Sequence, residues 1–415
     1  MTVLTLTVGA PAAGGSCVAH TDEATVFVRG ALPGETVRAT VVGSIKSGRI
    51  LFARTTEVMT PSEFRVTPPC PVANRCGGCD LQHVHPAEQA EWKASVLRDQ
   101  LMRIGGTTDI AGEPMATAVT VLVVPVAGAE PGLGWRSRAT IHANASGAPG
   151  FYAYRSREVV PTTHCPVLVP ALQPALAHRW PGGAQVSIAA SSDRVTAVGD
   201  VGRSGVPAGW SSRAWLEQAA VGRTWRVASD GFWQSHVEAP AVLTAAVRQV
   251  LGPRAGDRLL DLYSGVGLFA GALAEDVGIT GRIDAVEVDT TAARLARRNL
   301  HDCPQVQLHN ADVRQFLAER TTAQPGEVAD LVVLDPPRAG AGAATVRLLT
   351  QTGARAIAYV ACDGAALARD VRTFAELGWH LATVQGFDLY PMSHHTEAVA
   401  LFTPDNAEAT GRAVG

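Results

Sequence analysis

The chain has 415 residues, 47% of them hydrophobic, 18% charged and 6% aromatic. That composition excludes a disordered polyelectrolyte, a collagen-like chain and a coiled coil, and leaves a soluble globular protein of roughly two to four domains. The formal net charge of -3, with lysine only at Lys46 and Lys93 and arginine otherwise, predicts no global affinity for polyanions; any phosphate binding must come from local arginine patches.

No run of about 18 uninterrupted apolar residues occurs, and Met1 to Thr7 lacks the basic and apolar regions of an export signal, so a cytoplasmic protein without membrane contact is expected. Residues 1–60 alternate β-branched runs with glycine turns: strands are predicted at 25–28, 36–42 and 49–53, closing as a small OB-like β-barrel. Pro61, Pro68 and Pro69 mark a boundary. After it come Cys70, Cys76, Gly77, Gly78 and Cys79, three of the seven cysteines within ten residues. An odd cysteine count without an export signal argues against disulfides, and glycines between thiols let the backbone fold round a common centre, as a metal or cluster site requires. Cys17 and Cys303 fall in no motif and read as structural.

Pro86 opens a helix that runs to Gly105-Gly106 and places Trp92, Val96, Leu97, Leu101 and Ile104 on one face. The stretch to about residue 230 mixes short strands (139–143, 186–189, 194–198) with Gly/Pro turns, as a central α+β domain. From Phe232 strands and helices alternate: strands at 258–262, 282–288, 306–309, 330–334 and 356–360, then 380–387 and 397–403 as an antiparallel hairpin. The fold class is therefore α/β, a Rossmann-like doubly wound sheet, with expected domains 1–60, 61–230 and 231–415.

The first strand of that sheet delivers Asp261-Leu-Tyr263-Ser-Gly265-Val-Gly267-Leu-Phe-Ala270 into a helix, and Glu287 ends the second. Glycines allow close backbone approach, and the acid suits a ribose diol. The run also fits G-x-G-x-x-A, so a nicotinamide cofactor competes with S-adenosylmethionine at this point. Two further sites favour the latter: Asn310-Ala-Asp312 after the third strand, where adenine is contacted, and Asp335-Pro-Pro-Arg338 after the fourth, facing the reacting end. Asp335-Pro-Pro by itself also suits methylation of an exocyclic amine. Such chemistry needs no thiol, yet Cys362 ends the next strand before a helix amino terminus, where the dipole would favour thiolate. A thiolate added to carbon 6 of uracil makes carbon 5 nucleophilic, and a base must later remove the carbon 5 proton. Glu397, opening the last strand beside His394 and His395, is the candidate.

Segments 70–83, 261–269, 334–338 and 359–370, with the His395-Thr-Glu397 ending, resemble the RNA 5-methyluridine methyltransferase family, including its iron-sulfur members. The resemblance implies Cys362 as nucleophile and Glu397 as base, with Gln234, Tyr263, Gly265, Glu287, Asp335 and, as a looser match, Asp312 around S-adenosylmethionine. It implies Cys165 as a distant fourth ligand with Cys70, Cys76 and Cys79, holding a [4Fe-4S] cluster, with zinc the alternative for four thiolates. Residues 1–60 resemble the TRAM module, and the implied partner is RNA, either tRNA or large-subunit rRNA, with no obligate protein partner evident. Arg136, Arg138, Arg155 and Arg157, interleaved with aromatics, are candidate single-strand contacts. The sequence departs from the family at Leu268, where a polar residue is usual, and at Asp363-Gly364, which replaces Asn-Pro after the nucleophile. A noncatalytic iron-sulfur RNA-binding protein remains a further reading.

Overall fold

The computed structural model describes residues 2–203, 205–323 and 328–405. Its amino-terminal unit is a six-stranded sheet in which Thr25–Arg29 pairs parallel with Ile50–Thr60 and every other pairing is antiparallel. Alternate residues of Thr25–Arg29 point inward, and Leu6, Val26, Val28, Val37 and Ala39 share one core. Leu81, Val84 and Trp92, from beyond the predicted boundary, complete that core. Glu35, fully buried at the rim, accepts hydrogen bonds from the amides of Leu32 and Ser62 and from the Arg65 guanidinium, which holds its carboxyl below the usual range.

Helix Pro86–Gln100 starts on proline, with the His85 ring accepting from the amide of Ala87, and passes into a wider π-type turn, Leu101–Gly105, that ends on left-handed Gly106. Its apolar face is buried at Trp92, Leu97 and Leu101, as the spacing predicts. Lys93 is buried too, which the spacing did not predict. Its ammonium pairs with Asp388 and donates to the carbonyl of Tyr390 at 3.0 Å, tying this helix to the far end of the chain.

The middle of the chain forms a five-stranded antiparallel sheet from Arg138–Ala143, Pro149–Tyr152, Val159–Pro161, Gln185–Ala190 and Val195–Gly199. Arg138 does not face solvent as a nucleic-acid contact would. It is buried and donates to the carbonyls of Ala228, Ser229 and Gly231, bracing a loop. Arg155 and Arg157 are exposed.

The carboxy-terminal sheet has eight strands, ordered Val306–His309, Arg282–Val286, Arg258–Leu262, Leu331–Leu334, Ala356–Ala361, Glu397–Pro404, Trp379–Asp388 and Val119–Val123. The first five run parallel, and Glu397–Pro404 lies antiparallel between its neighbours. Alternate residues feed two cores: Leu259 and Val333 enter one, Leu260 and Val332 the other. Residues outside 231–415 contribute as well, among them Leu97, Leu101, Ile110 and Met115 in the second core. Val119–Val123 adds an edge strand parallel to Trp379–Asp388, and Trp225 and Val227 of the Arg223–Ala228 strand pack in the first core. Strand order reverses beside Arg258–Leu262, which places the loops of that strand and of Leu331–Leu334 at a switch point, where ligands bind such sheets.

Removing one partner of a buried ion pair strands the other charge. Lys93→Ala is accordingly expected to cost about 3–5 kcal/mol of stability, read as a lowered urea midpoint, with Lys93→Ala/Asp388→Ala less destabilised than the sum of the single variants.

Candidate active site

At the switch point the backbone takes three left-handed residues in close succession, Tyr263 (φ 62°), Gly265 (φ 56°) and Gly267 (φ 93°), before helix Leu268–Val277. A Cβ on Gly267 would lie 2.5 Å from Leu300, so only glycine lets the turn sit that close to its neighbour. The turn is held by acids. Asp261 accepts from the amide of Ala270 at 2.8 Å through one oxygen, and Glu287 accepts from the amides of Gly265 at 2.8 Å and Asp289 at 2.7 Å. Asn310 donates to the carbonyls of Glu287 and Val288, and Asp312 caps helix Val313–Ala323 through the amide of Gln315. Gln234 is buried and donates to Asp335 at 3.5 Å. Gln234, Tyr263, Gly265, Glu287 and Asp335 thus gather at the carboxyl ends of the strands, while Asp312 stands exposed at the rim.

Two buried oxygens in this turn, Asp261 Oδ1 and Ser264 Oγ, have no protein partner, which marks a place for ligand donors. Burial pushes Asp261 up to about 7, and the charges of Asp335 and Glu287 push the same way. Like charges gathered out of water favour a cation. A ligand with a sulfonium and an ammonium fits that field, whereas the diphosphate of a nicotinamide nucleotide would meet three carboxylates. The field therefore resolves the ambiguity that the glycine spacing leaves. Asp261, singled out by the sequence only as part of the motif, is the acid that the reading missed; its signal is a carboxylate at an apolar strand's end.

Cys362 follows strand Ala356–Ala361, half-buried, and Asp363 caps helix Gly364–Glu376 by accepting from the amide of Ala366 at 2.8 Å. The expectation that the helix amino terminus would favour thiolate is corrected by its surroundings. Burial, then the charges of Glu397 and Asp335, push the thiol up to about 11 against the opposing charge of Arg338. Glu397 is itself buried and held well above the carboxylate range by burial and by Asp335; Asp335 is pushed up to about 7 by loss of solvent. Burial, with the charges of His394 and Arg338, depresses His395 to about 4, so that its ring is neutral at pH 7.

A cavity of about 240 Å³ opens on Cys362, lined among others by Arg338, His395, Gln100 and the Ala12–Gly14 turn of the amino-terminal sheet. A Cβ at Gly364 would lie 2.3 Å from Gln100 Oε1, so a bulkier residue there would have to displace the end of that side chain. Two clamps fix the walls. Asp370 accepts from Tyr359 Oη at 2.7 Å and from the amides of Ala341 and Gly342, holding the loop that carries Arg338. Gln89 accepts from the amide of Met392 at 2.7 Å, and the Met392 carbonyl accepts from the amides of Asp80 and Leu81, so the loop leading to Glu397 is gripped by the cysteine segment. Asp80 also pairs with Arg29 at 2.6 Å and with His394 at 2.5 Å.

Cys70 is buried and Cys76, Cys79 and Cys165 are half-buried. Burial raises Cys79 to about 12, with Cys165 and Cys76 adding to it, and Cys70 acts in the same sense on Cys76 and Cys165. Thiols from two distant segments of the chain thus act on one another's ionisation. Among the described residues, however, no group of three or more His, Cys, Asp or Glu side chains has the arrangement of a formed metal centre. The expected four-cysteine ligand set therefore does not form a metal centre among the described residues. Also among the described residues, no helix is long and apolar enough to cross a membrane.

The family model for tRNA (uracil-5-)-methyltransferase matches residues 220–404. An RNA methyltransferase of Streptomyces coelicolor, itself uncharacterised, is 40% identical, with 96% of this chain and 92% of its own length covered. The 23S rRNA (uracil(1939)-C(5))-methyltransferase RlmD of Pseudomonas aeruginosa is 34% identical over 96% and 93% of the two chains. The chain belongs to the RNA uracil-5-methyltransferase family. It is an enzyme of the S-adenosylmethionine-dependent class. The fold extends to archaea: the tRNA (uracil-54, C5)-methyltransferase of Pyrococcus abyssi, solved with S-adenosyl-L-homocysteine, superposes with TM-score 0.69 over 96% of this chain and 100% of that one at 20% identity. In this family member the loop to Glu397 is shared between the methyltransferase sheet and the cysteine segment.

Asp335 gives the site a measurable signature. Its ionisation lies near 7 when folded against 3.8 as a free side chain. The neutral form is favoured by folding, so its contribution is complete below pH 3.8 and lost as pH rises through 7. His83, His236 and His395, all depressed to about 4, lose stability in the opposite direction as pH falls below 6.5. The difference between wild type and Asp335→Asn isolates the carboxyl: in the ligand-free protein the urea midpoint of the variant is expected to gain on wild type as pH rises across that window.

Proposed function

We propose that this enzyme methylates carbon 5 of a uridine in structured RNA, with Cys362 as nucleophile and Glu397 as the base. The observation that carries this reading is that buried Glu397 and the strand-end acid Asp335 both lie near enough to Cys362 to raise its thiol, and that Asp335 in turn raises Glu397. Methylation of an exocyclic amine would use Asp335 and leave Cys362 and Glu397 without a task. The Gln234, Tyr263, Gly265, Asp261, Glu287 and Asp335 groups would hold S-adenosylmethionine, which supplies a methyl group on a cationic sulfur.

The residues' part follows from their charge. A cation held by these residues would let Glu397 and Asp335 ionise, and its own charge would offset part of the repulsion that the two carboxylates exert on a Cys362 thiolate. Cys362 then gives its proton to solvent water at the open mouth of its cavity, and the resulting thiolate forms a bond to carbon 6 of the uracil. The electron pair released into the ring lets carbon 5 take the methyl group, leaving S-adenosylhomocysteine. Glu397, as carboxylate, accepts the carbon 5 proton; the electron pair of that C–H bond restores the ring double bond and expels the Cys362 thiolate. Asp335, tied to Gln234, holds the pocket's charge between donor and base. The target base must be unstacked to reach Cys362, because the cavity admits a ring and not a duplex.

Residues 1–60 serve in this reading as a TRAM-like RNA-binding barrel, and tRNA and large-subunit rRNA are both candidate substrates. Cys70, Cys76, Cys79 and Cys165 would hold a [4Fe-4S] cluster whose role is to fix the cysteine segment against Met392 and His394. That these thiols act on one another's ionisation supports this, and four thiolates also suit zinc.

Two experiments decide these points. Cys362→Ala is expected to abolish methyl transfer to RNA, whereas Glu397→Gln should fall by about 10²–10⁴ in rate and accumulate a protein–RNA adduct stable on denaturing gels; full turnover by Cys362→Ala overturns the reading. Anaerobically purified protein is expected to contain iron and acid-labile sulfide and to absorb in the visible, with Cys165→Ser losing both and melting at lower temperature. Zinc in place of iron would reassign the centre.

A further inference from the structure

A second cavity, of about 650 Å³, lies apart from the one on Cys362. It lies between the amino-terminal sheet, the cysteine segment and the Ala153–Arg155 turn, and five arginines line it (Arg29, Arg54, Arg65, Arg75 and Arg155) against the acids Glu57 and Asp80. In a chain of net charge -3 that is a concentrated positive site. Several of the arginines already have protein partners: Arg65 holds Glu35, Arg29 holds Asp80, Arg54 donates to the Asn74 carbonyl, and Arg75 reaches Glu158 at 3.6 Å in an exposed pair. Arg155 has no ion-pair partner among the described residues.

Arg155 is also held in an unusual way. Its backbone is left-handed (φ 50°), and its guanidinium lies 5.5 Å from the Phe52 ring and 5.3 Å from the Tyr154 ring. Arg29 covers Tyr154 at 3.6 Å, and Phe27 stacks on Phe52 at 5.9 Å. Planar cations and rings alternating along one wall, with Tyr154 exposed, are surfaces on which an unpaired base stacks while its phosphate meets arginine. A small anion would need the charges but not the rings. The cavity also adjoins the nucleophile's: Asp80 touches Arg29 on this side and His394, which lines the Cys362 cavity, on the other.

We propose that this cleft is a second nucleotide site, taking an unstacked residue of the same RNA strand that presents the target uridine. The inference rests on the RNA-modifying reading above and adds to it a place where the strand is gripped beside the reaction. A base seated between Tyr154 and Arg155, with phosphates toward Arg54 and Arg75, would keep the neighbouring uridine extruded toward Cys362. The stack contributes to binding and not to the chemical step.

The test uses the full-length protein, a fluorescein-labelled decauridylate in anisotropy titrations, and methyl transfer to total RNA from cells lacking the enzyme. Tyr154→Ala is expected to weaken decauridylate binding about five-fold or more and to raise KM for RNA with kcat unchanged at saturation. Arg155→Glu, at an exposed position, should do the same and lower the slope of log affinity against log salt by about one or more. S-Adenosylhomocysteine binding by calorimetry should match wild type in both. Unchanged affinity, salt slope and KM in both variants would overturn the second site while leaving the function intact. Weakened decauridylate binding in the variants, joined to a wild-type enzyme that transfers no methyl to uracil, would support the cleft and overturn the functional reading alone.

Discussion

Negative charge held away from water is the constraint around which this protein is organised. Asp261, Asp335 and Glu397 each lie where loss of solvent disfavours the ionised form, and Asp335 further raises the affinity of both Asp261 and Glu397 for protons. Such an arrangement costs stability in the ligand-free protein and is offset when a cation enters. It explains in one stroke why the pocket suits a sulfonium donor and not a dinucleotide, and why the thiol of Cys362 rests as a thiol. In the mechanism proposed above, the thiol is held back by the same acids that later serve the reaction.

Holding these groups together requires more than the methyltransferase sheet. Glu397 opens a strand whose preceding loop, residues 390–396, is anchored by Gln89 and Lys93 from the Pro86–Gln100 helix and by the amides of Asp80 and Leu81. The turn at Ala12–Gly14 lines the cavity that opens on Cys362. Gly15, next in that turn, is left-handed and packs so closely that a Cβ would lie 2.5 Å from Asp80 Cβ. The amino-terminal sheet and the cysteine segment are thus parts of the active-site wall, and perturbing them reaches Glu397 through backbone hydrogen bonds and one buried ion pair. The same contacts place the arginine-lined cleft next to the cavity of Cys362.

Much of the fold was legible because its signals are local. Proline at the start of Pro86–Gln100, glycine after it, apolar runs of strand length and a helix amphipathic at Trp92, Leu97 and Leu101 each declare themselves within a few residues. Val119–Val123 was not legible: a five-residue β-branched run is an edge strand only if a sheet edge awaits it, and that edge, Trp379–Asp388, lies far along the chain. Arg138 likewise reads as a surface cation by type and is buried because three carbonyls from residues 228–231 converge on it.

For the site, sequence alone determined which chemistries were available: a thiol and an acid at strand ends, a glycine turn after an acid, thiols spaced around glycines. Those assignments depend on covalent identity and short-range spacing, which the chain carries with it. Only tertiary structure decided their ionisation, because pKa follows burial and neighbouring charge, and Cys362, Glu397 and Asp335 become neighbours only when three strands align. It also decided that Lys93 is an internal anchor, that Gly364 makes room for Gln100, and that arginines scattered over residues 29–155 face one cleft. Each of these depends on packing between segments far apart in the chain, for which no local pattern exists.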